Sequence, residues 1–277
     1  MRTASKSFPD PNPSGGKSRI RHEIFKSFPW GARGREYREP FLGGGWVALG
    51  WLERCGPLYP PARMWVNDRD PFITHLWHVI QTSPDALCAA VRQHVPSVAR
   101  YAAARRRHAT DRPPEPGAIT AALDRLILQK QSRGGMGSQA GSPIGGWDQT
   151  GEYAINCRWN PEVLCGEIEM AHQALTRQTT LITALDFTAC LEGSGAIVYL
   201  DPPYVKAGVG LYTYAFAESD HRRLAAALRR CRHDWILSYD NHPLVHELYD
   251  GWAQLRPITV RHGGEKKKMG HELVITP

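Results

Sequence analysis

Asp201-Pro202-Pro203-Tyr204 gathers a carboxylate, two stiff residues with free carbonyls and an aromatic ring into one tetrapeptide. A planar exocyclic amine on a nucleobase is a poor nucleophile, because its lone pair is delocalised into the ring. A carboxylate that accepts one of its N–H groups and a carbonyl that accepts the other favour a pyramidal nitrogen. They also stabilise the charge that develops during attack. Asp201 and the Pro202 carbonyl suit those two places, and Pro203 stiffens the turn that carries them. The ring of Tyr204 suits stacking on a base drawn out of its helix. Taken alone, the four residues are equally a turn with an aspartate at a strand end.

The elements that must position them are legible around them. Ala196–Leu200 is an uninterrupted apolar run, as expected of a buried strand in a parallel sheet. Two consecutive prolines cannot donate ladder hydrogen bonds, so the strand stops at Asp201, at the sheet edge where open α/β folds bind ligands. Earlier, a short extended stretch over 36–38 leads into Glu39-Pro40-Phe41-Leu42-Gly43-Gly44-Gly45 and then the apolar run Trp46–Leu52. Strand, glycine loop and helix in that order let backbone approach a nucleotide-like ligand, although any tight turn can use glycines. Arg63–Val66 is a second strand ending in Asn67-Asp68, where an acidic residue takes the ribose hydroxyls of an adenosine-containing cofactor. Asp70-Pro71 has the form of an N-cap followed by proline in the first turn, which leaves Asp68 for a ligand.

With these motifs in this order the chain resembles the Dam-type DNA adenine N6-methyltransferases, of the kind carried by phages and mobile elements. Gly15-Gly16-Lys17, Glu39–Gly44, Asp68, Asp186 within Leu185-Asp186-Phe187, and Asp201–Tyr204 match the family's segments. So do Leu211–Tyr214, Ser219-Asp220-His221, Trp235–Asp240 and Glu272–Ile275, which leaves only the middle poorly matched. The resemblance implies S-adenosylmethionine held by Lys17, Phe41, Gly43, Gly45, Asp68 and Asp186, the last at the cofactor's adenine. It implies catalysis by Asp201, Pro202, Pro203 and Tyr204 on an adenine of double-stranded DNA, and leaves open a restriction endonuclease partner in the cell. Pro13 departs from the pattern, since many relatives carry an aromatic residue there; Phe8 is an alternative. Gly16-Lys17-Ser18 is not a phosphate-binding loop, because Pro11 occupies the place of the required earlier glycine and no apolar strand precedes it.

A length of 277 residues suits one domain with an insertion, and a net charge of +7 suits a polyanionic partner. No apolar segment approaches the ~20 residues of a membrane span, and the polar N-terminus lacks a signal-peptide core. Six cysteines without a Cys-x-x-Cys pair point to reduced, mostly buried thiols, a cytoplasmic protein and no metal site. His75 and His78 beside Trp77 lack a matching ligand set.

Helices are expected to start at Asp70-Pro71, Ser83-Pro84, Asn160-Pro161, Ser219 and His242-Pro243. Val163, Leu164, Ile168, Ala171 and Leu175 give the 160–179 stretch one apolar face. Further strands are expected at 180–183 and 235–239, with a closing antiparallel pair at 254–261 and 272–276. The whole is a doubly wound, Rossmann-like α/β sheet with a mainly helical insertion. Residues 1–82 and 176–277 form the catalytic domain, and 83–175 the inserted target-recognition region. Arg105, Arg106, Arg107, Lys130 and Arg133 are its candidate nucleic-acid contacts, and the arginines at 105 to 107 suit phosphates as well as base edges. Within it, 134–146 reads as a mobile glycine-rich loop and Trp147–Trp159 as a hairpin. A solvated helical cap is the plainer account of the same charges. The cluster at 261–268 is a charged turn or a phosphate grip, and Tyr212, Tyr214 and Phe216 either support the flipped nucleotide or cover the sheet, the latter favoured for Phe216. Two other functions stay open: an amino-methyltransferase acting on RNA or another base, and a DNA-binding relative without turnover.

Overall fold

Residue by residue, Ala196–Leu200 alternates between two cores. Ile197 and Tyr199 belong to one buried cluster, Val198 and Leu200 to the other. The same alternation separates Ile236 from Trp235 and Leu237, and Val274 from Leu273 and Ile275. Strands buried on both faces in this way must lie inside a sheet covered by helices. In the computed structural model, which describes residues 21–29, 34–55, 61–109, 113–133, 141–206, 216–261 and 269–277, they do.

The strands are β1 (Tyr37–Glu39), β2 (Met64–Asn67), β3 (Thr180–Thr183), β4 (Ser194–Leu200), β5 (Arg232–Asp240), β6 (Gln254–Arg261) and β7 (Met269–Thr276). They form one sheet in the order β3-β2-β1-β4-β5-β7-β6. The pairs from β3 through β5 are parallel, and β7 runs antiparallel between β5 and β6. Strand order therefore reverses between β1 and β4, and the loops leaving their carboxyl ends open a crevice at that point. The glycine segment leaves β1, and Asp201 leaves β4.

Helices α1 (Arg21–Phe25) and α2 (Trp46–Cys55) precede the long connection from β2 to β3. That connection holds α3 (Pro71–Thr82), α4 (Pro84–Gln93), α5 (Val98–His108), α6 (Ile119–Gln131) and α7 (Pro161–Thr176). A 3-10 turn (Phe187–Leu191), α8 (Glu218–Arg230) and α9 (Pro243–Tyr249) complete the fold. Three of the expected caps form: Asp70 accepts from Phe72 N, Asn160 from Glu162 N and Val163 N, and His242 from Leu244 N, whereas Ser83 precedes α4 without a side-chain cap bond. Ser219 is not a cap; α8 starts one residue earlier, and Asp220 accepts from Ala217 N.

Residues of α3 to α7 share one continuous core with α1, α2 and one face of the sheet. Val163 departs from its expected face: it is 47% exposed while Leu164, Ile168, Ala171 and Leu175 are buried. It lies one step around the helix, beyond the stripe that α3 and α4 cover. The hairpin expected over Trp147–Trp159 is a series of turns. Gln149, in the left-handed region at φ 56°, ties it together by donating to Ile144 O and Gly146 O and accepting from Ile155 N. No helix among the described residues is long and apolar enough to cross a membrane. Most of the cysteines are buried, and all are free thiols.

Candidate active site

The crevice is built from side chains that fix the loops before any ligand arrives. Asn67, fully buried at the end of β2, uses its whole amide. It donates to Pro40 O and Leu185 O and accepts from Leu185 N and Thr183 Oγ1, so the loops after β1 and β3 are locked to β2. Asp68 follows it. Its carboxylate accepts from Gly43 N at 2.8 Å and Asp70 N at 2.9 Å, which clamps the glycine loop to the turn before α3. Asp70 caps α3, as its position implied.

Two glycines in that loop occupy the left-handed region, Gly43 at φ 47° and Gly45 at φ 66°. At Gly43 an added Cβ would meet nothing within 4 Å, so the backbone there borders open space. At Gly45 it would lie 2.5 Å from the ring of Trp77, whose Nε1 donates to Gly43 O. One glycine therefore leaves room for a ligand, and the other makes room for a tryptophan of the protein itself.

Glu39 lies beneath the loop, 2% exposed, accepting from the Tyr37 hydroxyl. Burial pushes its carboxyl well above the usual range, and the Asp201 charge adds to this against the hydrogen bonds from Tyr37 and Ala48 N. An acid that favours its protonated form thus stands beside Asp201. Asp201 itself is half-buried, and Pro202 is buried behind it.

Tyr204 is half-buried, and its hydroxyl donates to Glu272 Oε2 of β7 at 2.7 Å. Its ring sits 6.2 Å from that of Tyr239, whose hydroxyl meets His221 Nδ1. Burial, then the charges of Asp201 and Glu272, hold the Tyr204 phenol far above its ordinary pKa, so it stays a neutral ring. Asp240, at the end of β5, accepts from Val205 N and Lys206 N and anchors the chain just after the tetrapeptide. Phe41 packs against Phe187 and Phe216 at 5.7 and 5.6 Å, so Phe216 covers the sheet, as favoured from the sequence.

Asp186 has partners of its own. It accepts from Thr188 N and Oγ1 and pairs with Arg223, whose guanidinium lies 4.5 Å over the Phe187 ring. Burial alone would raise its carboxyl, but the bonds from Arg223 and Thr188 prevail and hold it below the usual value.

The expected nucleic-acid contacts divide. Arg105, Arg106 and Arg133 are exposed, with Arg105 against the Trp147 ring. Arg107 is also exposed but forms a two-pronged ion pair with the buried Asp124. Lys130 is corrected: it is 5% exposed and pairs with Glu167 at 3.0 Å. Its face of α6 is turned to α7, where both residues line a cavity of about 80 Å³ behind Gly43 and Gly44. Lys17, with Gly15, Gly16, Phe8 and Pro13, lies outside the described residues. So do Tyr212, Tyr214, most of the 134–146 loop and the 262–268 cluster.

Glu39 stood in a motif without a role of its own. Asn67, Asp240 and Glu272 stood in segments singled out for other reasons. Trp77 had no signal at all, because nothing local ties a helical tryptophan to a glycine loop. The residues present suit S-adenosylmethionine: open backbone at Gly43, a half-buried carboxylate at Asp68 and an aromatic ring at Phe41.

No curated protein sequence matches the chain. Among solved structures it is similar to the rRNA methyltransferase AviRa from Streptomyces viridochromogenes at 14% identity. That match covers 99% of this chain and 88% of that one, with a TM-score of 0.42. It is also similar to a possible methylase from Clostridium difficile 630, at 10% identity over 94% of this chain and 52% of that one, TM-score 0.40. The profile of the D12 class N6 adenine-specific DNA methyltransferases matches residues 14–131 and 150–262, taking in the glycine loop, Asp68, Asp186 and the tetrapeptide at 201. With a match of that extent across both sides of the crevice, the chain belongs to the D12 class of N6 adenine-specific DNA methyltransferases, whose methyl donor is S-adenosylmethionine.

Proposed function

We propose that the protein methylates the exocyclic N6 of an adenine in double-stranded DNA, with the target base turned out of the helix into the crevice beside Tyr204. One observation carries this reading. Asp201 and Pro202 follow β4 at the strand-order reversal, opposite the glycine loop, and their neighbours are anchored from β5 and β7.

Asp68 would accept from the ribose hydroxyls of the cofactor, the backbone at Gly43 and Gly45 would border it, and Phe41 would flank it. Lys17 is assigned to its carboxylate. Asp186 would serve the adenine if Arg223 yields part of its carboxylate. When bound, S-adenosylmethionine supplies a methyl group already activated by the adjacent sulfonium charge.

The chain's own residues deal with the amine. Asp201 accepts one N–H and the Pro202 carbonyl the other, which turns the nitrogen lone pair out of conjugation. Pro203 limits how far that carbonyl can swing. Tyr204 stacks on the base, and its hydroxyl bond to Glu272 prevents the ring from following the base back out. With the geometry set in advance, proximity and alignment supply much of the rate. The proton leaves after methyl transfer, so Asp201 need not be a strong base.

The inserted region, residues 83–175, would recognise the DNA, with Arg105, Arg106 and Arg133 on phosphates. Lys130 no longer belongs to that set.

Replacing Asp201 by alanine tests the core of the proposal. Methyl transfer to DNA, read as N6-methyladenine by mass spectrometry, should fall by about a thousandfold. Affinity for S-adenosylhomocysteine should stay within about threefold, because the carboxylate acts on the amine. Undiminished turnover in D201A refutes the assignment, and methyladenine formed in RNA but not in DNA refutes the substrate.

A further inference from the structure

Two turns into α3, a buried tryptophan leaves the helix toward the glycine loop. Trp77 is 6% exposed, and its Nε1 donates to Gly43 O at 3.0 Å. Its ring lies so close to Gly45 that a Cβ added there would stand 2.5 Å from it. The other polar group of the Gly43 backbone is engaged as well, since Gly43 N donates to Asp68 at 2.8 Å. Both ends of this residue are therefore held by the protein, while the side that a Cβ would occupy borders open space.

Other bonds fix the loop at its entry and its turn: Leu42 N donates to Asn67 O, and Gly45 N to Leu42 O. Behind Gly43 and Gly44 lies the cavity of about 80 Å³, with Trp77 in its wall. Protein interiors normally close around a backbone at high density. Here a void occupies that side, so holding two glycines in the left-handed region falls to hydrogen bonds and to the indole. The helix that presents the indole is itself fixed. Asp70 caps it, His75 Nε2 meets Ala118 O just before α6, and His172 Nδ1 of α7 meets Ile80 O.

We propose that Trp77 is a positioning residue of the cofactor site, holding Gly43 and Gly45 in the conformation that keeps the loop open to S-adenosylmethionine. The proposal rests on the reading of the glycine loop as the cofactor's seat. An indole suits both tasks, because it offers one N–H donor to a carbonyl and a flat ring to a residue without a side chain. Glycine takes positive and negative φ with similar ease, so a loop freed from the indole would sample other peptide orientations. Each orientation that closes the open side lowers the competent share of molecules and weakens apparent affinity in proportion. The effect belongs to binding, since the amine is handled by residues that follow β4.

The test combines calorimetric binding of S-adenosylhomocysteine to the full chain with steady-state methylation of DNA. W77F keeps a ring and removes the N–H. It should bind S-adenosylhomocysteine about fivefold more weakly, the worth of one neutral hydrogen bond. The KM for S-adenosylmethionine should rise to match, with kcat at saturating cofactor within about twofold. Loss of kcat at wild-type cofactor affinity would reduce Trp77 to a packing residue and overturn the proposal. Gly45→Ala reaches the same contact from the loop side. It should weaken binding about tenfold in the wild-type background but less than about threefold in W77A, where the ring it meets is gone. Wild-type affinity in G45A, or an equal loss in both backgrounds, would also overturn the proposal, even if W77F does not fold. Gly43→Ala separates the two layers, because it adds a methyl group where the free protein has space. If G43A binds as wild type, the loop is not the cofactor's seat and the underlying reading fails. If G43A binds weakly while W77F tracks wild type, only the role of Trp77 is lost.

Discussion

Asn67 and Ser132 are equally shielded from solvent, each 0% exposed, but their polar atoms fare differently. Asn67, at the mouth of the sheet, places every donor and acceptor of its amide on a neighbouring loop. Among the described residues the hydroxyl of Ser132, at the end of α6, has no hydrogen-bond partner, and neither have Arg125 Nε and Nη1, Gln131 Oε1 and Trp159 Nε1, all between β2 and β3. Native proteins satisfy nearly all buried polar groups, so a cluster of exceptions calls for a reason. The mouth of the sheet holds its loops in a geometry fixed by hydrogen bonds. The helices between β2 and β3 instead keep buried polar atoms without a partner.

Substitutions can break or sharpen this contrast. The largest effect is expected at Asn67. In N67A the Leu185 amide and the Pro40 and Leu185 carbonyls lose their partner, at a cost of about 3 kcal/mol in chemical denaturation. A loss below 1 kcal/mol would mean that the loops of the crevice hold themselves. Next comes Tyr204→Phe, which removes the bond to Glu272 but keeps the ring. Turnover should fall by about tenfold, the worth of one hydrogen bond to a charged group. A rise in KM with kcat unchanged would show that the hydroxyl serves binding only. The smallest effect is expected from Ser132→Ala. Removing a buried hydroxyl that has no partner should leave stability within about 0.5 kcal/mol or raise it. A loss near that of N67A would erase the difference between the two regions.

Much of the fold could be read from the sequence, for reasons that vary by element. β4 and β5 announce themselves because strands buried on both faces need unbroken apolar runs. Asp70, Asn160 and His242 cap the helices their prolines foretold. The glycine loop, Asp68 and the tetrapeptide at 201 come together at one crevice, as strand-end motifs of an open sheet should. What stayed hidden is the wiring among them. Asn67 reaches Leu185 across 118 positions and Tyr204 reaches Glu272 across 68, and no local pattern encodes such a pairing. Lys130 misled because a lysine on a helix normally faces water, whereas here it is buried and held by an ion pair with Glu167 of α7. Arg223 was missed for the opposite reason: an exposed arginine on a polar helix face gives no sign that it holds Asp186. The turns over 147–159 depend on Gln149 in a conformation that glutamine rarely adopts, so a strand was the natural expectation.

The tie between Tyr204 and Glu272 also bears on when the enzyme becomes competent. β7 follows β5 and β6 in the chain, yet it inserts between them and brings the carboxylate that fixes the ring. A nascent chain that has already made its glycine loop and Asp201 still lacks the acceptor of the Tyr204 hydroxyl. The crevice is therefore finished only once β7 has paired with β5.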